Sequence, residues 1–142
     1  MKQNKKGFTL VELLAVIVIL AIIALIATPI ILGVIDDAKK GAAKSSLIGY
    51  IDALEKSAIT KLIDDNSYNV ASKTFTISEN GSSVTDNSTP AVTLKVDVKG
   101  DAPTGGTIDY DANGSVSKVT GVILNGYTCS GTTIDTISCD SK

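Results

Sequence analysis

The sequence predicts an α+β fold, a long N-terminal helix followed by a small antiparallel β-sheet. Three observations predict it. Twenty-three uncharged residues run from Leu13 to Ile35. Apolar residues then recur at three- and four-residue steps to Leu62, as on one face of a helix. Beyond residue 67 the period falls to two, and Asn-Gly pairs punctuate short β-like runs.

The uncharged run is long enough to cross a membrane. At 1.5 Å per residue it makes roughly 35 Å of helix against a hydrocarbon core of about 30 Å. Lys2, Lys5 and Lys6 precede it and place the N-terminus on the cytoplasmic side. A secretory signal peptide would have an apolar region of about 7–15 residues and a small-x-small cleavage site. Here Ile22 and Leu25 occupy the positions two residues before Ala24 and Ala27. A plain membrane anchor accounts for the run but gives Glu12, directly before it, no role. As a first-turn acid, Glu12 would gain about 0.3–1 kcal/mol from the helix dipole. That leaves Gly7 and the basic leader unexplained. Pro29 interrupts the run and predicts a kink, tolerated in a membrane helix where Thr or Ser hydroxyls satisfy freed carbonyls.

The helix continues past Ile35 as an amphipathic one. Leu47, Ile51, Leu54, Ala58 and Leu62 form its apolar stripe, widened by Ile48, Ile59 and Ile63. Asp36 with Lys40 and Asp52 with Lys56 are acid-first pairs four residues apart. Acids at Asp64 and Asp65 are unfavourable at a helix C-terminus and predict its end. From Phe8 to Asp64 the helix is roughly 85 Å long. A domain of about a hundred residues cannot bury that length. The front half must lie in a membrane or against other copies of the chain.

The remainder reads as three or four strands. Val92, Leu94, Val96 and Val98 alternate with polar residues, Phe75 and Ile77 mark an earlier strand, and Ile108, Tyr110 and Val116–Leu124 flank an Asn113-Gly114 turn. Asn125-Gly126 marks another turn. Ser78–Pro90 reads as a polar, exposed loop and Lys99–Gly106 as a surface loop. Cys129 and Cys139 are the only cysteines. In a domain outside the cell they are expected to form a disulfide. With no histidine and two cysteines, a zinc site is disfavoured. Asp109, Asp111, Asn113 and Gly114 copy the opening of a calcium loop, but Thr120 stands where the closing glutamate belongs. A hairpin turn explains the same residues, so the calcium signal is weak.

Taken together, KKGFTLVELLAVIVILAIIALIATP resembles the N-terminus of a type IV prepilin. The likeness covers residues 1–35. It implies that a prepilin peptidase removes residues 1–7 by cutting after Gly7 and N-methylates Phe8. It implies that Glu12, fifth in the mature chain, pairs with the Phe8 amine of another subunit during assembly. Two such charges at 4 Å attract by about 4 kcal/mol at an effective dielectric of 20. The organisation implied is leader 1–7, a transmembrane and assembly helix 8–35, an amphipathic helix 36–66, and an extracytoplasmic β-domain 67–142 with a C-terminal disulfide loop. The expected fold is the pilin fold.

The expected function is a structural subunit of a type IV pilus, a homo-oligomeric filament built by pilus machinery from a membrane-held precursor and displayed outside the cell. The alternative within the resemblance is a pseudopilin of a type II secretion or competence DNA-uptake machine; a monomeric anchored binding domain is the reading outside it. No cofactor and no enzymatic activity are expected, since the usual general base is absent and no nucleophile or phosphate-loop motif occurs. The net charge of −2 becomes −5 once the three leader lysines are gone, and no arginine is present. That balance is unsuited to unaided nucleic-acid binding, which depends on phosphate neutralisation.

Overall fold

The computed structural model describes residues 7–141. Lys2, Lys5 and Lys6 of the leader lie outside the described residues. One helix, α1, spans Leu10–Asp64 and is followed by seven strands. These are β1 (Thr74–Ile77), β2 (Ser83–Asp86), β3 (Thr93–Lys95), β4 (Thr107–Tyr110), β5 (Val116–Leu124), β6 (Tyr127–Gly131) and β7 (Ser138–Ser141). All neighbouring strands pair antiparallel, in the order β3-β2-β1-β4-β5-β6-β7. The fold is a pilin-like α+β fold. By compactness the chain divides into two units, residues 1–38 and 39–142.

In the second unit, one face of the helix closes one face of the sheet. Leu47, Tyr50, Ile51, Leu54 and Ala58 share a core with Phe75, Ile77, Val84, Ile108, Tyr110, Val119, Val122 and Leu124. Phe75 and Tyr110 meet edge to face, with ring centroids 5.6 Å apart, the arrangement that ring quadrupoles favour. The buried stripe is narrower than the sequence suggested. Ile59, Leu62 and Ile63 are exposed, and Ile48 is half-buried. Tyr50, absent from the predicted stripe, is fully buried, and burial pushes its hydroxyl up to about 12.

The sheet has more strands than the three or four expected. Ser78–Pro90 is not a loop throughout: β2 lies inside it, with Val84 and Asp86 buried. β6 and β7 form the C-terminal hairpin. The row Val116, Val119, Val122 breaks simple alternation because two bulges interrupt β5. At the second, Gly121 takes φ +60°, a left-handed conformation that suits glycine, and the strand gains one residue over β6. The segment from β3 to β4 crosses the sheet and packs closely. A Cβ on Gly106 would fall 2.6 Å from the Val122 Cα, so only glycine fits.

One carboxylate organises the β1–β2 side. The Asp86 side chain is fully buried and sits 2.6 Å from the Lys73 Nζ. Lys73 also lies 4.3 Å from the centre of the Tyr68 ring. The other Asp86 oxygen accepts hydrogen bonds from the Ser88 hydroxyl and from the backbone N–H groups of Ser88 and Val92. Burial raises this carboxyl, but the Lys73 ammonium and the Ser88 and Val92 donors outweigh it and hold the group far below the usual carboxylate range.

A depressed pKa contributes stability that is present above the unfolded value, about 3.9, and lost as pH falls toward the folded one. We therefore expect Asp86→Asn to destabilise the domain near neutral pH by about 3 kcal/mol, because Lys73 loses its buried partner. The variant should also lose part of the acid sensitivity of the wild type below about pH 4. Thermal unfolding of both chains across pH 2–7 checks this, and parallel curves would contradict it.

Candidate functional site

Residues 7–9 stand before the first helical turn, and the backbone there is open. Gly7 has clear space around its α-carbon, and Phe8 is 91% exposed. An endopeptidase needs access to the bond it cuts, and among the described residues Gly7 and Phe8 are both accessible.

Thr9 starts the helix. Its backbone N–H and its hydroxyl both donate to the Glu12 Oε2, at 2.8 and 2.9 Å. The Glu12 N–H donates back to the Thr9 Oγ1 at 3.3 Å, and the Leu13 N–H to the Thr9 carbonyl at 3.2 Å. This is a capping box, in which the residue before the helix and the residue three later satisfy each other's orphan donors. Its signal, Thr-x-x-Glu before an apolar run, stands in the sequence at Thr9–Glu12. Within one chain Glu12 is hydrogen-bonded by its own first turn while remaining exposed.

From Leu13 onward the helix is apolar all round. Large aliphatic side chains are exposed at position after position to Ile35. The most apolar 18-residue window of α1 has a mean hydropathy of 3.2, and none of it is buried in the fold. A helix of this kind belongs in a bilayer or in a bundle of similar helices. Pro29 does not end it, since α1 is continuous through that position. Proline lacks the N–H that would reach the Leu25 carbonyl. Nearby, the Thr28 hydroxyl donates to the Ala24 carbonyl at 2.7 Å, one of the local adjustments that membrane helices use.

Cys129 and Cys139 are disulfide-bonded, and they face each other directly across β6 and β7. Both sulfurs belong to the core. The loop they close is braced from within by Thr136, whose hydroxyl oxygen accepts from the N–H groups of Thr132 and Thr133. It is braced from outside by Lys44 of α1, whose ammonium donates to the Asp135 carbonyl at 2.8 Å.

The residues of the calcium-like pattern are separated. Asp109 lies on β4, between the buried Ile108 and Tyr110. Asp111 and Asn113 lie in the β4–β5 turn, where the Asp111 carboxylate accepts from the N–H groups of Asn113 and Ser115. That carboxylate is shaping a turn. Among the described residues, no group of three or more acids, cysteines or histidines is placed to hold a metal ion.

We expect Thr9→Val to loosen the first turn of α1 by about 1 kcal/mol, the usual worth of a cap. Amide hydrogen exchange at residues 10–13 should accelerate about fivefold in micelles, and Thr9→Ser should restore the wild-type rate. Equal exchange in the valine variant would show that the box contributes nothing.

Residues 2–28 match the family model of the prokaryotic N-terminal methylation motif, the signature of type IV prepilins. The match spans Gly7, Phe8, Glu12 and the apolar run as far as Thr28. It implies processing by a prepilin peptidase and a structural, pilin-like prepilin or pseudopilin, and with the apolar helix it fits a membrane-anchored precursor. No curated protein and no solved structure matches the chain.

Proposed function

We propose that the chain is a structural subunit of a type IV pilus. The observation that carries this reading is the conjunction at the N-terminus. A methylation motif over residues 2–28 leads into a helix whose apolar surface the protein's own fold leaves uncovered. A plain anchor would explain the second feature and not the first.

The steps follow from the residues. Residues 1–7 are removed by cleavage after Gly7, and the new Phe8 amine is methylated. The uncharged helix holds the processed chain in the bilayer, with the β-domain outside the cell. Glu12 then exchanges its internal Thr9 contacts for the Phe8 amine of a neighbouring subunit. An unpaired carboxylate carried into a bundle of apolar helices would be heavily penalised, so this pairing selects subunits in register. Apolar burial and close helix packing hold the polymer together once it leaves the lipid. Pro29 bends the helix within the bundle. The C-terminal disulfide fastens the β6–β7 hairpin in an oxidising compartment, where such bonds persist.

The first test is the intact mass and N-terminal sequence of the protein from its own cells. The expected chain starts at methylated Phe8 and lacks the first seven of the 142 residues. A chain starting at Met1 would reduce the protein to an anchored domain, and a start beyond Ala27 would make the run a signal peptide. In Glu12→Val cells, cleavage should persist while filaments fall by about tenfold or more. Normal filaments in that variant would remove the role given to Glu12. Long, abundant fibres in the wild type support a pilus over the short fibre of a pseudopilin.

A further inference from the structure

The second unit holds a cleft with an unmatched carboxylate in its wall. Ala58, Ile59, Leu62, Tyr68 and Val70 line a space of about 250 Å³, and Glu55 stands among them. Glu55 is half-buried and makes no ion pair among the described residues. Burial, and after it the Asp52 charge, holds its carboxyl above the usual range. A second unsatisfied group lies beside it. The Tyr110 hydroxyl is buried against Glu55, in a residue only 3% exposed, and makes no hydrogen bond of normal geometry. Native folds seldom leave a buried hydroxyl without a partner, and each such group calls for an explanation.

The charges nearby decide which guest fits. Residues 52–65 hold four acids, Asp52, Glu55, Asp64 and Asp65, against two lysines, Lys56 and Lys61. Lys73, which lies on the Tyr68 ring, is neutralised by Asp86. An anion in the cleft would meet Glu55 as a like charge. A neutral apolar guest would cover Glu55 and leave its charge buried without a partner. An ammonium on a short aliphatic stem suits every wall. Its methylenes lie against Ile59, Leu62 and Val70, and its N–H groups donate to the Glu55 carboxylate and the Tyr110 hydroxyl oxygen. The stem must be short, because the space is below the range of about 300–1,000 Å³ typical of small-molecule pockets.

We propose that the Glu55 cleft is a binding site for a free primary alkylammonium ion, with Glu55 and Tyr110 holding its head and Ile59, Leu62 and Val70 its stem. A lysine of a second copy carries the same head, but it comes attached to an acidic protein. Without the three leader lysines the chain has 10 lysines against 15 acids. Bringing that surface onto residues 52–65 would set acid against acid, which a free amine avoids. The site belongs to the second unit alone and does not depend on the filament reading.

Methyl NMR of the full chain tests it, with isoleucine, leucine and valine methyls labelled and the protein held in nanodiscs of neutral lipid. The probe is n-butylammonium, and n-butanol is the uncharged control of the same length. The expected result is a saturable shift of the Ile59, Leu62 and Val70 methyls, with a Kd of about 1 mM. Butanol should bind at least about tenfold more weakly. Glu55→Gln should weaken the amine about tenfold or more, and Tyr110→Phe about threefold, with the disulfide formed in both variants. An absent or unsaturable shift, equal binding of butanol, or an unchanged Kd in Glu55→Gln would overturn the proposal. Shifts confined to residues 13–35 would place the amine in the bilayer and overturn it too. Shifts at Ile59 and Leu62 that follow protein concentration and ignore the amine would give the cleft to a second copy, with the same consequence. The butanol comparison is made on the wild-type chain, so it decides the matter even if a variant fails to fold.

Discussion

Everything in this protein is arranged around a helical surface that it cannot cover by itself. The side chains from Leu13 to Ile35 carry no charge, and none of the large aliphatic ones is buried by the fold. In water, that much apolar area is intolerable at roughly 25 cal/mol per Å². The chain is thus committed to a bilayer, to other copies of itself, or to each in turn. The capping box fits this commitment. Thr9 gives Glu12 partners inside its own first turn, so the one acid at the mouth of the span is hydrogen-bonded before any neighbour arrives. The contacts are local and exposed, and such contacts are readily exchanged for an ion pair.

The folded unit after residue 38 solves a different problem with few resources. It has two phenylalanines and four tyrosines in the whole chain to draw on, and no tryptophan. Its core is therefore mostly aliphatic, closed by Tyr50, Phe75, Tyr110 and Tyr68. Short strands are drawn into one seven-stranded sheet by bulges in β5, by a crossover that needs glycine at position 106, and by a disulfide across the last hairpin. The buried Asp86 serves the same end. Its two oxygens tie Lys73 before β1 to the turn after β2, joining two four-residue strands through side chains as well as ladder bonds.

Legibility tracked the range of the interactions. The helix was readable almost to the residue, expected over Phe8–Asp64 and found over Leu10–Asp64, because charge and a period of 3.6 are local signals. The hairpin at Asn113-Gly114, the half-buried strand around Leu94 and the cysteine pair were readable for the same reason. β2 was not. Ser-Val-Thr-Asp has one apolar residue in four, and its aspartate is buried only because Lys73, thirteen positions away, neutralises it. β7 was hidden likewise, since Ser-Cys-Asp-Ser becomes a strand through pairing with β6. The capping box of Thr9 and Glu12 is a local signal too, four residues wide and present in the sequence.

By itself the sequence determined the long helix, its uncharged front half and the N-terminal methylation motif. Each is written in composition or short-range spacing, which survive without a fold. Only the tertiary structure decided how many strands the sheet has and which aliphatic residues of the amphipathic half are buried. The stripe shows why. Ala58 and Leu62 sit one turn apart in the same periodic pattern, yet one is buried and the other exposed. Periodicity states which residues share a face; only a packed neighbour states where along the helix that face is covered.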